Sequence, residues 1–550
     1  MVPDSTLSLL EKERQLTVRE DASGRASCAS RRTATETAPA VQRGNLSPGT
    51  VHAYVRAVVY LGARRLGAIM ARTDLLPKAI GLGTWGLVTL PLWGAIVAPV
   101  ALAWLVLFFN AYWLMRSAML GIGAIVSLIR LRRSERTDWQ ALASQQPGYD
   151  QLHHLVIIPT YKEEDAVLAE TLDHLRRQEY PAERVSVVLA FEARDPGAAA
   201  RAARLLARYR PHFGQMWALF HQIRPGEVVG KSSNLAWAAP RARKLLQNRG
   251  VDVSRVLVTI CDADSRLHAK YLSALAHDHL SDLEHADRMY QPALFFHANL
   301  DRLPPPLRAT NSAYTVWSLA RLAISSRLVL QSTYSLPLAL AHKVGYWDVD
   351  VICEDSRICF KVLQQVGESA RVRPIYLPVL CDAAEGATPW ETVIAHYQMI
   401  RRWAWGASDV PYVLRGAFQK GVVRAPLGPA IGFVEDHLTW PTHWFLITLG
   451  TKALPFLAPA MVASPHGEVL ISAGGFLLAL CLPFIVIAAT IDLMLRGGPQ
   501  DIGEWAGELV GWALMPLITL VLTCLPALDA HTRLLFGRGL GYKVTPKFAR

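Results

Sequence analysis

Charge is what this chain is short of. Only 19% of its 550 residues are Asp, Glu, Lys or Arg, against about 25% in ordinary soluble domains. The deficit argues for membrane segments. Cysteine patterns are missing too. Cys28, Cys261, Cys353, Cys359, Cys381, Cys481 and Cys524 are odd in number, and none stands in a CxxC or His/Cys ligand spacing. That excludes a disulfide framework and a zinc site, and it fits thiols kept reduced in cytosol and membrane. Acidic residues are the minority, giving a formal net charge of +12. No basic stripe with interleaved aromatics accompanies this charge, so nucleic acid is not expected as a partner. Basic flanks of membrane spans account for it instead. No charged-then-apolar leader with a small-residue cleavage site opens the sequence, so no signal peptide is expected. Large apolar residues are sparse over 1–45, and disorder is expected there.

Long apolar runs are what the chain does have. Residues 50–72 are predicted as a basic amphipathic helix, lying on anionic lipid or on protein. They complete an N-terminal region, 1–78. From 79 to 115 there is no charged residue; Arg116 interrupts, and the run resumes to 129. That length holds two spans of about 20 residues each. Arg72 and Lys78 precede it, and Arg130, Arg132, Arg133 and Arg136 follow. The uncharged turn and basic flanks predict a membrane hairpin over 79–131 with both ends in the cytosol. Three further apolar stretches, 438–463, 469–495 and 505–527, make a C-terminal membrane region, 438–527, before a basic tail, 528–550. Five full spans would place that tail outside, whereas its charge places it inside. The stretch 438–463 contains Pro441, Lys452, Pro455 and Pro459. It is therefore expected to lie at the interface or to re-enter the membrane against protein.

Residues 150–385 follow another pattern. Short runs such as LVIIP (155–159), VSVVLAF (185–191) and VLVTI (256–260) alternate with helical segments. Continuous Val/Ile/Leu runs suit strands covered on both faces, so the expected class is α/β around a largely parallel sheet. Ligands of such sheets sit at the carboxyl ends of strands, and the polar motifs fall there. Asp262 and Asp264 follow the third run with one residue between them. Two carboxylates at a strand end can hold Mg²⁺ or Mn²⁺ together with substrate phosphates. Tyr161 and Glu163 follow the first run in VIIPTYKEE, where the tyrosine offers an apolar face to a nucleobase. Glu192 ends the second run and can accept hydrogen bonds from base or ribose. Lys231, in Gly-Lys-Ser-Ser-Asn, supplies a point charge for a phosphate but lacks P-loop spacing. Glu354-Asp355 opens a helical stretch; each is a candidate catalytic carboxylate, with Asp355 first as general base and Glu354 next. In HYQMIRRWAWG, helical spacing puts Gln398, Arg401 and Arg402 on one face beside Trp403. This motif lies in a segment of interface helices, 386–437.

The order VIIPTYKE, acidic strand end, GKSSN, DAD, ED, QMIRRW resembles the family 2 glycosyltransferases of the cellulose- and hyaluronan-synthase type. The resemblance covers roughly 150–410 and the flanking spans. It implies a GT-A fold inserted between transmembrane helices, a UDP-sugar donor, and an inverting transfer to a growing polysaccharide at the cell membrane, with the catalytic domain in the cytosol. It assigns Asp262 and Asp264 to nucleotide and metal, Asp355 to the base, and Gln398, Arg402 and Trp403 to the donor and acceptor site. The sequence departs from that pattern in two places. Gln398 stands one residue further from Arg402-Trp403, and Glu192 stands where aspartate is frequent. Tyr542-Lys543-Val544-Thr545-Pro546-Lys547 is similar to the FxVTxK gating loop of bacterial cellulose synthases, which implies that Thr545 and Lys547 close over the diphosphate. Transfer of one sugar to a lipid acceptor is the competing enzyme reading. A non-catalytic membrane scaffold or transporter is the competing reading of another class.

Overall fold

A computed structural model describes residues 75–417, 426–497 and 502–541. The predicted amphipathic helix over 50–72 and the predicted gating motif, with Thr545 and Lys547, lie outside them.

The stretch expected as a membrane hairpin forms two helices, α1 (Leu75–Val97) and α2 (Pro99–Arg136). The break falls at Ala98, and Pro99 takes the first turn of the new helix, where its missing N–H costs nothing. Arg116 does not interrupt α2. Its guanidinium pairs with Glu435 at 2.6 Å and Asp436 at 2.9 Å. Such pairing is how a charge persists inside an apolar helix. At 38 residues, α2 is about 57 Å long. Its far end leaves the hairpin and enters the core of the α/β domain through Ala124, Leu128 and Leu131.

One eight-stranded sheet carries that domain, in the order β3-β2-β1-β4-β7-β6-β8-β5. The strands are β1 (His153–Thr160), β2 (Val185–Glu192), β3 (Gln215–His221), β4 (Val256–Ile260), β5 (Arg266–Leu267), β6 (Arg288–Phe295), β7 (Tyr334–Pro337) and β8 (Arg371–Leu380). From β3 to β4 the pairing is parallel throughout. Beyond β4 the sheet is mixed: β7 runs antiparallel to β4 and β6, β8 runs parallel to β6, and β5 runs antiparallel to β8. The expectation of a largely parallel sheet holds only for the first half. Side chains alternate across a strand, and here both sides are covered. Leu155 and Ile157 pack with α2 on one face, while Val156 and Ile158 pack with Leu168 and Leu172 on the other. That is why the strands read as unbroken apolar runs.

Four helices bring the remaining motifs to the sheet: α3 (Lys231–Gln247), α4 (Pro305–Ala323), α5 (Glu354–Val366) and α6 (Pro389–Ala404). The next helix, α7 (Leu427–Trp444), gives way to a π-turn at Phe445–Leu449 and then to short helices broken before Pro459. Then come α8 (Pro465–Ala479), α9 (Leu482–Leu495) and, near the end, α10 (Leu525–Leu535). Among the described residues, four helical stretches are long and apolar enough to cross a membrane: Pro77–Val97, Pro99–Arg136, Pro465–Leu495 and Met515–Leu535. The stretch 438–463 is not one of them. The last begins ten residues later than the sequence pattern suggests and runs into the expected tail. Asp529 there pairs with Arg401 at 2.8 Å and with Arg533 at 2.8 Å, so these charges do not end the helix. Close helix contacts depend on two glycines. A Cβ at Gly81 would sit 2.6 Å from the His531 carbonyl oxygen of α10, and one at Gly123 would sit 2.8 Å from that of Ala320 of α4. Small residues at such crossings let backbones approach.

Candidate active site

The carboxyl ends of β1, β2 and β4 open onto a cavity of about 880 Å³. On its wall stands the Lys231 ammonium, largely enclosed at the N-terminus of α3. Its Nζ lies 2.7 Å from Asp262 Oδ1, 2.7 Å from Glu354 Oε1 and 2.7 Å from the Ser332 carbonyl oxygen. Three motifs far apart in sequence therefore meet on one cation. Burial works against the charge on Lys231, but Asp262 and Glu354 hold its pKa well above the ordinary value. Burial pushes the Glu354 carboxyl up to about 7, against the pull of Lys231. The lysine is positioned by its own helix: Gly230 takes a positive φ of 144° before it, and Asn234 donates to the Ala190 carbonyl oxygen of β2 at 2.6 Å.

Asp355 is held differently from Glu354. Its Oδ2 accepts the Ser332 N–H at 2.9 Å, and its Oδ1 accepts the Ser356 N–H at 2.7 Å. Asp355 is half-buried and Glu354 buried, and both line the cavity. Asp262 Oδ2 accepts from the Ser332 hydroxyl at 2.5 Å. Asp264 is buried, and its Oδ2 accepts the Asp382 N–H at 3.0 Å.

Ser332 is thus the hub that the sequence does not announce. Its carbonyl, N–H and hydroxyl serve Lys231, Asp355 and Asp262 in turn, and it does so at a φ of +52°. A non-glycine residue held in that region costs on the order of 1–3 kcal/mol and persists where its surroundings over-determine it. No turn motif in Gln331-Ser332-Thr333 signals this. A β-branched side chain tolerates the conformation least. Ser332→Val is therefore expected to be less stable than Ser332→Gly by about 1–3 kcal/mol in thermal unfolding. Equal losses from the two substitutions would contradict the strain.

Tyr161, Glu163 and Glu192, the residues expected to meet the nucleoside, all lie on the cavity wall. Glu163 Oε2 accepts the Thr160 hydroxyl at 2.6 Å and the Tyr161 N–H at 2.5 Å, fixing the turn after β1. The buried Glu192 pairs with Arg194, and the Arg194 guanidinium carbon lies 3.7 Å from the Tyr161 ring centroid.

From α6, Met399, Arg402 and Trp403 reach the cavity. Trp403 is wedged between Phe296 and Tyr314, at ring distances of 5.7 and 5.6 Å. Gln398 and Arg401 are not brought to this wall. Arg401 turns to Asp529 of α10, and Gln398 is half-buried elsewhere on α6. The cavity then continues away from the sheet, past Arg116, Trp317, Arg321 and Asp436, to Trp113, Trp440, His443 and Trp444. Trp113 and His443 stack at 4.7 Å. One cavity therefore joins the carboxylate-rich sheet end to the apolar helices.

Whether a divalent cation fits was judged on the donors present. No group of three or more His, Cys, Asp or Glu forms a ready metal cage among the described residues. A cation that shares its coordination with a diphosphate needs only one or two carboxylates. Asp262 and Asp264, with oxygen donors only, meet that requirement.

Residues 257–492 match the model of glycosyl transferase family group 2. That match covers somewhat less than half of the chain, and the fold is of the α/β class. No curated protein matches the chain. Among solved structures it is similar to mannosyltransferase PcManGT from Pyrobaculum calidifontis, in complex with GDP-Man and Mn²⁺. Identity there is 18% over 75% of this chain and 99% of that one, with a TM-score of 0.41. It is also similar to S. aureus TarS 1–349 in complex with UDP-GlcNAc, at 15% identity over 64% of this chain and 93% of that one, with a TM-score of 0.29.

Proposed function

We propose that this chain is an inverting hexosyltransferase. It moves a sugar from a UDP-sugar to a growing β-linked polysaccharide, at the cell membrane and with its catalytic domain in the cytosol. The observation that carries this reading is the convergence of the GKSSN, DAD and ED motifs on Lys231, on the wall of a cavity that runs on among apolar helices.

In this reading the base and ribose lie against Tyr161 and Glu192, and the diphosphate lies near Lys231 and Arg402. Mg²⁺ or Mn²⁺, held by Asp262 and Asp264 with the phosphates, would neutralise the charge of the leaving diphosphate. The acceptor approaches from the tryptophan-lined end. Its hydroxyl oxygen attacks the anomeric carbon while Asp355 takes the hydroxyl proton. The bond to the diphosphate breaks as the new glycosidic bond forms, and UDP leaves with that electron pair. Asp355 suits the base because two backbone N–H groups hold it while it still borders the cavity. Glu354, buried on Lys231, suits the task of holding the lysine. One base and direct displacement invert the anomeric centre, whereas the retaining glycosidase arrangement uses two carboxylates about 5 Å apart across the bond. The broad faces of Trp113, Trp317, Trp440 and Trp444 favour a sugar acceptor over a bare lipid.

The test is incubation of the purified protein, in detergent or vesicles, with a panel of UDP-sugars and Mn²⁺. A polymer of many units is expected. A single lipid-linked sugar would replace this reading with lipid glycosylation, and no product from any donor would favour the scaffold or transporter.

A further inference from the structure

Arg194 is the one residue at the nucleoside end that the chemistry above leaves without a task. It sits in a turn that the structure fixes firmly. Ala193 N–H donates to the His221 carbonyl oxygen at 2.8 Å, and Asp195 N–H to that of Glu192 at 3.0 Å. The buried Asp195 accepts from Gly197 N–H at 3.0 Å, from Lys162 N–H at 3.3 Å and from Arg201 at 2.6 Å. From this turn the Arg194 guanidinium reaches both base-contacting residues. The guanidinium carbon lies over the Tyr161 ring, and its Nε donates to Glu192 Oε2. Glu192 Oε1 has no hydrogen-bond partner among the described residues. Arg194 is not itself on the cavity wall, while Tyr161 and Glu192 are.

We propose that Arg194 sets the nucleobase preference of the donor site. The inference rests on the reading of Tyr161 and Glu192 as the base subsite. A free carboxylate has two oxygens and suits the two adjacent N–H groups of guanine, which it can accept together. With Oε2 committed to Arg194, Glu192 offers one acceptor. Uracil presents one imide N–H between two carbonyls, so a single carboxylate oxygen accepts it. Guanine N1–H can use that same oxygen, but its N2 amine finds a carboxylate acceptor only by breaking the Glu192–Arg194 pair. Arg194 is a positioning residue, because it acts through Glu192 and Tyr161 and touches no reacting atom.

The experiment measures UDP and GDP affinities by calorimetry in Mn²⁺ on the full-length protein, its Arg194→Ala and Arg194→Lys variants, and Glu192→Ala. The unaltered protein is expected to favour UDP by about tenfold or more, the scale of one well-formed paired hydrogen-bond contact. Arg194→Ala should bring the two affinities close together. Arg194→Lys should do the same, because an ammonium keeps the charge but has neither the planar face nor the guanidinium fork. In turnover, the donor KM should rise far more than kcat falls. Equal UDP and GDP affinities in the unaltered protein, or an unchanged ratio in both Arg194 variants, would overturn the inference. Unchanged UDP affinity in Glu192→Ala would instead remove the base subsite itself, a failure distinguishable from the first.

Discussion

Asp355→Asn is expected to lose turnover by about 10²–10⁴-fold, the usual cost of removing a general base. UDP affinity should stay near that of the unaltered protein. Asparagine keeps the size of the side chain and can still accept the Ser332 N–H, but it cannot take a proton. Both Asp355 oxygens rest on backbone N–H groups, and Lys231 is bonded to Glu354 and Asp262 rather than to Asp355. The donor contacts should therefore survive. If Asp355 merely stabilised the start of α5, its loss would cost about 0.5–2 kcal/mol of stability, and the folded protein would keep its rate. Turnover and UDP affinity measured on one folded preparation separate these outcomes. Near-normal turnover would eliminate Asp355 as base and pass the role to Glu354.

Chelation of divalent metal should abolish turnover, and Mn²⁺ or Mg²⁺ should restore it. The sheet end of the cavity carries Glu163, Glu192, Asp262, Asp264, Glu354, Asp355 and Asp382, with Lys231 and Arg402 as its cations. A diphosphate entering so acidic a wall needs added positive charge, and Lys231 is already shared between two carboxylates. Asp264→Ala should therefore differ from Asp355→Asn, losing metal-dependent UDP binding as well as turnover. Full activity in chelator would remove Asp262 and Asp264 from a metal-binding role.

The strand ends were legible because β1, β2 and β4 are covered on both faces and read as unbroken apolar runs. Each run stops where its polar motif begins. The mixed half of the sheet was not legible. β7 has four residues and β5 has two, too short for a period to register. Ser332 carries no local signal, because its positive φ is imposed by partners 70 and more residues away or on another element. Helical spacing put Gln398, Arg401 and Arg402 on one face of α6, yet of the three only Arg402 lines the cavity. It could not foresee that Asp529 of α10 would draw Arg401 away from the cavity. Arg116 was visible as a charge in an apolar run, but its partners on α7 lie more than 300 residues later, beyond any local pattern.

The most direct test of the central claim, direct transfer from a nucleotide-sugar with Asp355 as the single base, is the anomeric configuration of the first linkage formed from an α-linked UDP-sugar, read by NMR. A β linkage is the predicted result. An α linkage would contradict the account, because one-step displacement from the face opposite the diphosphate cannot produce it.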